Sequence, residues 1–182
     1  MAELEILEDA SFLGSQEMQY LKEVFLFRGL SEKDIRSVMV LARRVEVPRG
    51  HVLMKEGDPG ETLYIIMKGE VEVSKNLTLP LVDSEGSQPE KALVRLGDRD
   101  RAVFGELSLF DEKLRSATVR CLTDCSFYAV DRRELLEFCD THVEFGYRMF
   151  KNLSSMVGER LRRASDDIVK LTTALTIALK RR

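Results

Sequence analysis

The sequence predicts a mainly β protein with flanking helices, because the spacing of its apolar residues changes twice along the chain. Residues 16–41 show a helical spacing, residues 44–130 alternate as strands do, and the pattern is helical again from Arg132 onward. Within the middle block, short apolar stretches are separated at close intervals by turns rich in Gly, Pro and Asp. This arrangement is typical of an antiparallel sandwich or barrel rather than of alternating strand and helix units.

The chain has 182 residues, which corresponds to one ordinary domain or to one domain with a helical extension. Its hydrophobic content of 44% can fill a core and excludes a disordered chain. The net charge of −3 gives the chain no overall attraction to DNA, although it does not exclude a local basic patch. The sequence has no apolar run long enough for a membrane span and no secretory pattern at its acidic start, so we expect a cytoplasmic protein.

Three cysteines, Cys121, Cys125 and Cys139, argue against a disulfide framework because their number is odd. The four-residue spacing of the first two could indicate a metal or redox site. They lie in an apolar, β-rich stretch, however, and the two histidines are remote in sequence. We therefore expect buried thiols and neither a resident metal nor a cofactor.

The first helical block has an apolar face, and Ser31 is the predicted N-cap of its second helix. In the β block, residues 62–67 form a nearly continuous apolar strand. Residues 83–90 are polar and rich in breakers, which predicts a mobile loop; a partner-binding insertion is the alternative. From about Val143 to Lys180 the chain contains no proline, which predicts one long helix that must project or pair.

The segment from Phe104 to Ala117 carries the chemistry of a candidate site. Gly105 permits a tight entry into a helical turn whose first amides suit an anion. Arg115, about ten residues later, offers a fork of donors to a phosphate, and Ser116 adds another donor. Glu106 beside an anion suits a sugar hydroxyl, so the set outlines a nucleotide pocket. The alternative is that Glu106 and Arg115 simply pair across a surface hairpin.

This segment resembles the phosphate-binding cassette of the cyclic nucleotide-binding domain family, whose pattern is Phe-Gly-Glu-aliphatic-Ala-Leu, a variable tail, then Pro-Arg-Ala-Ala. Residues 104–109 and 114–117 supply both halves at the family's spacing. Further motifs of the family, spread from residue 25 to the C-terminus, are matched at residues 26–31, 47–50, 55–58, 63–66 and 68–71. The catabolite activator protein-like effector domain is the nearest form of the resemblance.

The resemblance implies an antiparallel β-roll, or jelly-roll, that encloses cAMP or cGMP. It implies the roll at residues 25–140 and a long dimerisation or capping helix at residues 141–182. Residues 1–24, which precede the resemblance, are expected to be an N-terminal helical segment. Glu106 would accept a hydrogen bond from the ribose 2′-hydroxyl, and Arg115 would neutralise the cyclic phosphate. The implied ligand-binding residues within the cassette are Phe104, Gly105, Glu106, Leu107, Ser108, Arg115, Ser116 and Ala117.

In bacterial cAMP-activated regulators the long helix also contacts the base, and by local likeness Arg160 and Ser165 lie near such positions. Ala164 falls where those proteins have a threonine, so the sequence does not indicate whether cAMP or cGMP is preferred. Two further departures concern the cassette: Leu114 replaces the usual proline, and serines replace alanines at 108 and 116. The stretch 97–103 is unusually charged, and Asp98 and Asp100 would weaken phosphate binding unless Arg99 and Arg101 screen them.

The last part of the chain carries an apolar heptad stripe, which favours pairing of two chains; packing on the protein's own roll is the alternative. The stripe comprises Leu161, Ala164, Ile168, Leu171, Leu175 and Ala178, with Phe150 and Val157 upstream. No winged helix follows it, and no catalytic nucleophile–base pair is evident, so we expect neither sequence-specific DNA binding nor an enzyme.

The predicted function is a stand-alone, homodimeric cyclic nucleotide sensor that signals to an unknown partner protein through the C-terminal helix. The alternative is a docking or scaffold dimer that keeps the fold without binding a cyclic nucleotide. A third hypothesis, with less support, is that the protein is a sensor that binds another anion or small ligand in the same pocket.

Overall fold

The computed structural model describes residues 4–6, 13–76, 90–110 and 114–180. In this part of the chain nine strands form two antiparallel sheets, with strand orders β1-β2-β9-β4-β7 and β3-β8-β5-β6. The first sheet contains β1 (Leu4–Ile6), β2 (Ala42–Val47), β4 (Thr62–Lys68), β7 (Val103–Phe104) and β9 (Cys125–Asp131). The second contains β3 (Val52–Met54), β5 (Glu70–Asn76), β6 (Glu90–Gly97) and β8 (Thr118–Cys121).

Four α-helices flank the sheets: α1 (Ser15–Glu23), α2 (Glu32–Met39), α3 (Arg132–Thr141) and α4 (Val143–Lys180). Short 3₁₀ turns occupy Phe25–Phe27, Asp98–Asp100 and Glu106–Leu109. Ser31 caps α2 as predicted, since its hydroxyl accepts a hydrogen bond from the Asp34 amide at 3.2 Å. The expected class, mainly β with flanking helices and a long C-terminal helix, is confirmed.

Strand β1 differs from the sequence prediction, which assigned residues 1–24 to helix alone. Leu4–Ile6 instead pairs antiparallel with β2, and Leu4 lies opposite Val45. Strand β2 has β9 on its other side, so β1 supplies hydrogen-bond partners to an edge that would otherwise be open. Such a pairing depends on where the edge lies in the fold, which local periodicity does not report. Of the loop predicted at 83–90, residues 83–89 lie outside the described residues and Glu90 opens β6.

The central strands β4 and β9 of the first sheet are largely buried on both faces, which explains the nearly continuous apolar pattern of β4. Leu63 and Ile65 point toward the helices and pack with residues such as Leu21, Met149 and Leu153. Their neighbour Ile66 points the other way, into the space between the sheets, where it meets Phe127. Strand β9 alternates in the same manner. The layer between the two sheets is the interior into which the candidate site opens.

Helix α4 has two parts with different surroundings. Its first turns bury Phe145, Met149 and Leu153, and the Asn152 amide donates to the carbonyl of Leu26 at 3.0 Å. Phe150 is partly buried and meets the Phe110 ring at 6.4 Å, so this upstream member of the stripe already packs within the chain. From residue 161 onward every described side chain of α4 is exposed. The alternative that the stripe packs on the chain's own roll is therefore wrong for residues 161–180.

The three cysteines are free and buried, as the sequence predicts. Burial raises the pKa of the Cys121 thiol to about 12, with a smaller contribution from neighbouring Cys125. Burial likewise raises the pKa of the Cys139 thiol to about 11. Within the described ranges no group of His, Cys, Asp and Glu side chains could hold a metal ion, and no helix is long and apolar enough to cross a membrane.

These thiol pKa values predict a loss of stability in alkaline solution. In the unfolded chain the thiols ionise near pH 9, whereas in the folded chain Cys139 stays protonated up to about pH 11. The stabilisation is therefore complete below pH 9 and is lost as the pH rises toward 11. We expect the free energy of unfolding, measured by urea titration, to fall between pH 9 and 11. The Cys139→Ala variant should lose part of this dependence, and an identical slope for both proteins would contradict the assignment.

Candidate functional site

The candidate site is built around the guanidinium of Arg115, which lies just before β8. The Arg115 backbone is fixed to the turn after β3: its amide donates to the Asp58 carbonyl at 2.8 Å, and its carbonyl accepts from the Gly57 amide at 2.9 Å. The side chain is only 9% exposed. One of its terminal nitrogens, Nη1, donates to the Thr62 carbonyl at 3.0 Å, and the guanidinium lies 6.0 Å from the centre of the Tyr64 ring.

Two glycines make room for this side chain. A Cβ atom on Gly60 would lie 2.0 Å from Arg115 Nε, so any side chain at residue 60 would force the guanidinium out of this position. A Cβ atom on Gly105 would lie 2.5 Å from the Thr62 carbonyl oxygen and 3.1 Å from Arg115 Nη1. Gly105 also has a φ of +77°, in the left-handed region that glycine adopts without strain. Both glycines therefore let Arg115 lie against the backbone.

The charge of Arg115 has no partner among the described residues, since none of their carboxylates lies within 4.0 Å of the guanidinium. Residues 111–113, which precede it, lie outside the described part of the chain. Burial lowers the pKa of Arg115, and the phenol of Tyr64 partly offsets that effect. A buried guanidinium held by a single carbonyl is costly to maintain, and a bound anion would relieve that cost. The arrangement suits a phosphate.

Glu106, in contrast, has a partner already. It opens the 3₁₀ turn, is 5% exposed, and its Oε1 lies 2.6 Å from Nη1 of Arg160 on α4. Arg160 Nη2 also donates to the Val103 carbonyl at 2.6 Å. The alternative of a Glu106–Arg115 pair across a hairpin is therefore wrong, because Glu106 is turned toward α4. Of the two helix residues expected near the base, Arg160 is brought to the site.

The other predicted residues are distributed around this pair of charges. Phe104 is buried and stacks on Tyr64 with ring centres 5.4 Å apart, so it supports the interior wall. Ser108 is buried and its hydroxyl donates to the Gly105 carbonyl at 2.7 Å, which stabilises the 3₁₀ turn. Leu107 is exposed on that turn.

Ser116 and Ala117 follow Arg115 directly, the first exposed and the second half-buried. Ser165 is exposed, and its hydroxyl donates to the Leu161 carbonyl at 2.9 Å within α4. Among the described residues of this chain, the structure does not join Ser165 to the Arg115 and Glu106 cluster.

The charged stretch 97–103 serves the fold rather than the anion site. The Asp98 and Asp100 carboxylates accept hydrogen bonds from the amides of Gly69 and Gly97, each at 3.0 Å. Arg101 Nη2 lies 2.8 Å from a Glu23 carboxylate oxygen, and the guanidinium covers the Tyr20 ring at 4.2 Å. Arg101 therefore attaches α1 to this stretch. Burial is the main cause that raises the pKa of Tyr20 to about 12.

Sequence reasoning missed three residues that shape the site: Gly60, Thr62 and Tyr64. The sequence Gly-Asp-Pro-Gly at residues 57–60 predicts a turn, but nothing in it shows that Gly60 faces a guanidinium 55 positions later. Thr62 contributes a backbone carbonyl, which any residue type carries. The alternation of β4 was the available signal for Tyr64, since it shares a face with Ile66, which lines the layer between the sheets.

Comparison with known protein families matches residues 44–142 to the cyclic nucleotide-binding domain. The chain belongs to this family. The match covers more than half of the chain and includes the Arg115 and Glu106 cluster, so the resemblance stated from the motifs is confirmed.

Relatives of the domain include bacterial regulators and protein kinase subunits. A CRP-like cAMP-activated global transcriptional regulator of Mycobacterium tuberculosis is 28% identical over 153 residues, which cover 84% of this chain and 62% of that protein. This chain thus spans less than two thirds of the regulator's length. A cAMP-dependent protein kinase regulatory subunit of Emericella nidulans is 31% identical over 120 residues, covering 65% of this chain and 26% of the subunit.

Among solved structures, a cyclic nucleotide-binding domain from Methylobacillus flagellatus superposes with a TM-score of 0.73 at 25% identity. The superposition covers 91% of this chain and 88% of that domain. The shared core and the flanking helices thus extend over nearly the whole chain.

Because the Arg115 charge is buried without a partner in the described residues, removing it should not weaken the ligand-free domain. We expect Arg115→Met to leave the free energy of unfolding within about 1 kcal/mol of the wild type, or to raise it. Urea unfolding of the nucleotide-free protein measures this. Arg120→Met, on the exposed face of β8, is the matched control. A loss of several kcal/mol at position 115 alone would show that Arg115 is a structural residue.

Proposed function

We propose that this protein is a cyclic nucleotide sensor that binds cAMP or cGMP and signals to a partner protein through its C-terminal helix. The observation that carries the proposal is the buried Arg115 guanidinium, which faces no carboxylate in the described residues and lies beside the 3₁₀ turn of the cassette. A cyclic phosphate is a monoanion that this guanidinium can neutralise by paired hydrogen bonds. The family membership and the relatives named for cAMP support the ligand class.

In the proposed complex the two charged residues of the cassette have separate tasks. Arg115 binds the phosphate, while the Glu106 carboxylate accepts a hydrogen bond from the ribose 2′-hydroxyl. Tyr64 and Phe104 supply an apolar wall beside the phosphate site. No step of bond making or breaking is involved, so the protein acts as a regulator and not as an enzyme.

The route of the signal would begin at Arg160. This residue links α4 to the site through Glu106 and the Val103 carbonyl. A ribose hydroxyl that bonds to Glu106 changes the strength of that link, and the ligand shifts the position of α4 only by its different affinity for the two arrangements. Because α4 continues for 20 residues beyond Arg160, or about 30 Å, a small change of tilt near residue 160 is enlarged at its far end.

The output surface would be the heptad stripe of α4, which is exposed at every position from Leu161 to Ala178. Two such stripes pair favourably in a parallel coiled coil because pairing removes Leu161, Ile168, Leu171 and Leu175 from water. A homodimer formed in this way holds two sites beside one shared pair of helices. A partner protein, rather than a specific DNA sequence, would read that pair.

One observation favours a second candidate, a docking dimer without a nucleotide. Glu106 already has an ion-pair partner in Arg160, so the ligand-free fold is closed on that side. In this case the buried charge of Arg115 would be a remnant of an ancestral site.

Nucleotide binding distinguishes the two candidates. We expect isothermal titration calorimetry of nucleotide-stripped protein to show one site per chain for cAMP or cGMP. Arg115→Met should reduce the affinity by about 2–5 kcal/mol, because the phosphate loses its charged partner. Arg120→Met should bind like the wild type. If neither nucleotide gives heat or raises the melting temperature at millimolar concentration, the docking dimer replaces the sensor.

The same titration can test whether Glu106 binds the ribose 2′-hydroxyl. Glu106→Gln should weaken binding of the cyclic ribonucleotide by about 1.5–3 kcal/mol relative to its 2′-deoxy analogue. Arg160→Met controls for the broken ion pair, since it leaves the Glu106 carboxylate in place. Equal losses for both ligands in Glu106→Gln would assign Glu106 to fastening α4 and not to the ribose.

Pairing through the stripe has its own test. Replacing both Ile168 and Leu171 with Lys places like charges in the seam, and we expect the number of chains per particle to fall by half in light scattering. The replacements are on an exposed part of α4, so the domain itself should keep its circular dichroism and melting temperature. An unchanged mass would show that the stripe does not pair two chains.

A further inference from the structure

Helix α4 carries a second exposed face, opposite the stripe. At 100° per residue, Asp166, Val169, Ile177 and Lys180 all lie within about 40° of Thr173 around the helix axis. Each stripe residue from Leu161 to Ala178 lies about 120° or more away from Thr173. Val169 and Ile177 are 65% and 52% exposed. A two-stranded coil formed through the stripe would leave this face, centred on Thr173, uncovered.

The threonine hydroxyls near this face already have hydrogen-bond acceptors within the helix. The hydroxyl of Thr173 donates to the Val169 carbonyl at 2.8 Å, and that of Thr176 donates to the Thr172 carbonyl at 2.8 Å. With the hydroxyls bonded inside the helix, the threonine side chains can be buried without leaving a donor unsatisfied. Together with Val169 and Ile177 they form an apolar surface, and all of it except Val169, which precedes Lys170, lies within the uncharged stretch 171–179. A helix that is apolar on two opposite faces is typical of a helix covered on both.

A charge of opposite sign stands at each end of the second face. Asp166 lies at its N-terminal end and Lys180 at its C-terminal end, about 21 Å apart. Within the described chain neither makes an ion pair, although neighbouring charges on α4 do: Asp167 pairs with Lys170 at 3.1 Å, and Glu159 pairs with Arg162 at 3.1 Å. The two end charges are therefore available to a partner.

The face is symmetric about Thr173. Val169 and Ile177 lie four residues before and after it, and Asp166 and Lys180 lie seven residues before and after it. If two copies of the face meet antiparallel with Thr173 on the two-fold axis, Val169 of each lies opposite Ile177 of the other. The same register sets Asp166 of each against Lys180 of the other. A parallel meeting would instead set like charges together.

We propose that this second face binds the same face of another copy of the chain, antiparallel, with Thr173 at the two-fold axis. The antiparallel contact is argued only from the residues of the second face. If the proposed pairing through the stripe also holds, the result is a tetramer in which two stripe-paired dimers are joined by their helix ends. A contact of identical patches is the usual form of a two-fold interface, and its self-complementary charges select a copy of this chain over an unrelated helix.

Charge exchange tests the register. Asp166→Lys and Lys180→Asp each set like charges against one another, so each should halve the number of chains per particle in sedimentation velocity at matched concentration. Combining the two changes restores opposite charges and should restore the wild-type mass. Lys151→Asp makes the same change of net charge as Lys180→Asp, but on the domain-packed part of α4, and should leave the mass unchanged. Single variants that keep the wild-type mass, or a double variant that stays dissociated, would overturn the proposal.

Cross-linking tests the axis independently of the stripe. Thr173→Cys places two thiols at the two-fold axis, and mild oxidation with copper phenanthroline and oxygen should join two chains by a disulfide, oxidising both thiols. Thr176→Cys is the matched control, because its two copies would lie about 9 Å apart along the antiparallel axis and should not join. The native thiols are buried and do not interfere.

The cross-link should persist when Ile168 and Leu171 are both replaced with Lys, because those positions lie on the opposite face. A cross-link that survives these replacements supports the second face even if the stripe dimer fails, so the two proposals fail separately. Equal cross-linking at 173 and 176 would overturn the antiparallel register. Binding to phosphatidylserine vesicles that is unaffected by the charge exchange would assign the face to lipid and overturn the proposal.

Discussion

The buried guanidinium of Arg115 is the constraint on which the site depends. An arginine that is 9% exposed, held by one carbonyl, can lie there only because two backbone positions carry no Cβ atom. Gly60 and Gly105 belong to different turns, and backbone hydrogen bonds hold Arg115 to the first of them, at Gly57 and Asp58. The geometry therefore fixes a positive charge inside a wall of the roll, at a cost in solvation that an anion can recover.

The same turn that carries Gly105 also connects the site to the long helix. Glu106 and Arg160 form an ion pair in which the carboxylate is buried and the guanidinium is partly exposed. Such a pair contributes little net stability, because the loss of hydration offsets most of the attraction. The pair matters for its position, because it joins α4 to Glu106, the residue after Gly105 in the candidate site. A group that forms a hydrogen bond with Glu106 would therefore compete with Arg160 for the carboxylate. One carboxylate thus contacts both the turn at the candidate site and the long helix.

The far end of α4 raises a separate physical question, because an exposed helix with apolar residues on opposite faces is not at its lowest free energy in water. In the proposed assembly the stripe and the face around Thr173 bind different partners, since they lie on opposite sides of the axis. Both can be satisfied by copies of this chain, the first by parallel pairing and the second by antiparallel pairing. The order of charges from Asp166 to Lys180 makes the second pairing specific in direction.

The sequence by itself determined the class of fold and most of the cassette. Periodicity located the strand block and the long helix, because side-chain spacing follows directly from the backbone repeat. The family motif at residues 104–117 indicated Glu106 and Arg115 as the candidate site, because a motif records which residue types occur together at a set spacing. Three buried thiols and the Ser31 cap also followed from local chemistry.

Only the tertiary structure decided the partners of those residues. In the fold, Glu106 pairs with Arg160 and not with Arg115. Gly60 lies against the Arg115 guanidinium, and Arg101 binds Glu23 of α1. It also added β1 to the edge of β2, where the sequence predicted helix. Each of these contacts joins residues far apart in the chain through orientation in space. Local sequence patterns report which face a residue occupies, but they do not report which distant group that face meets.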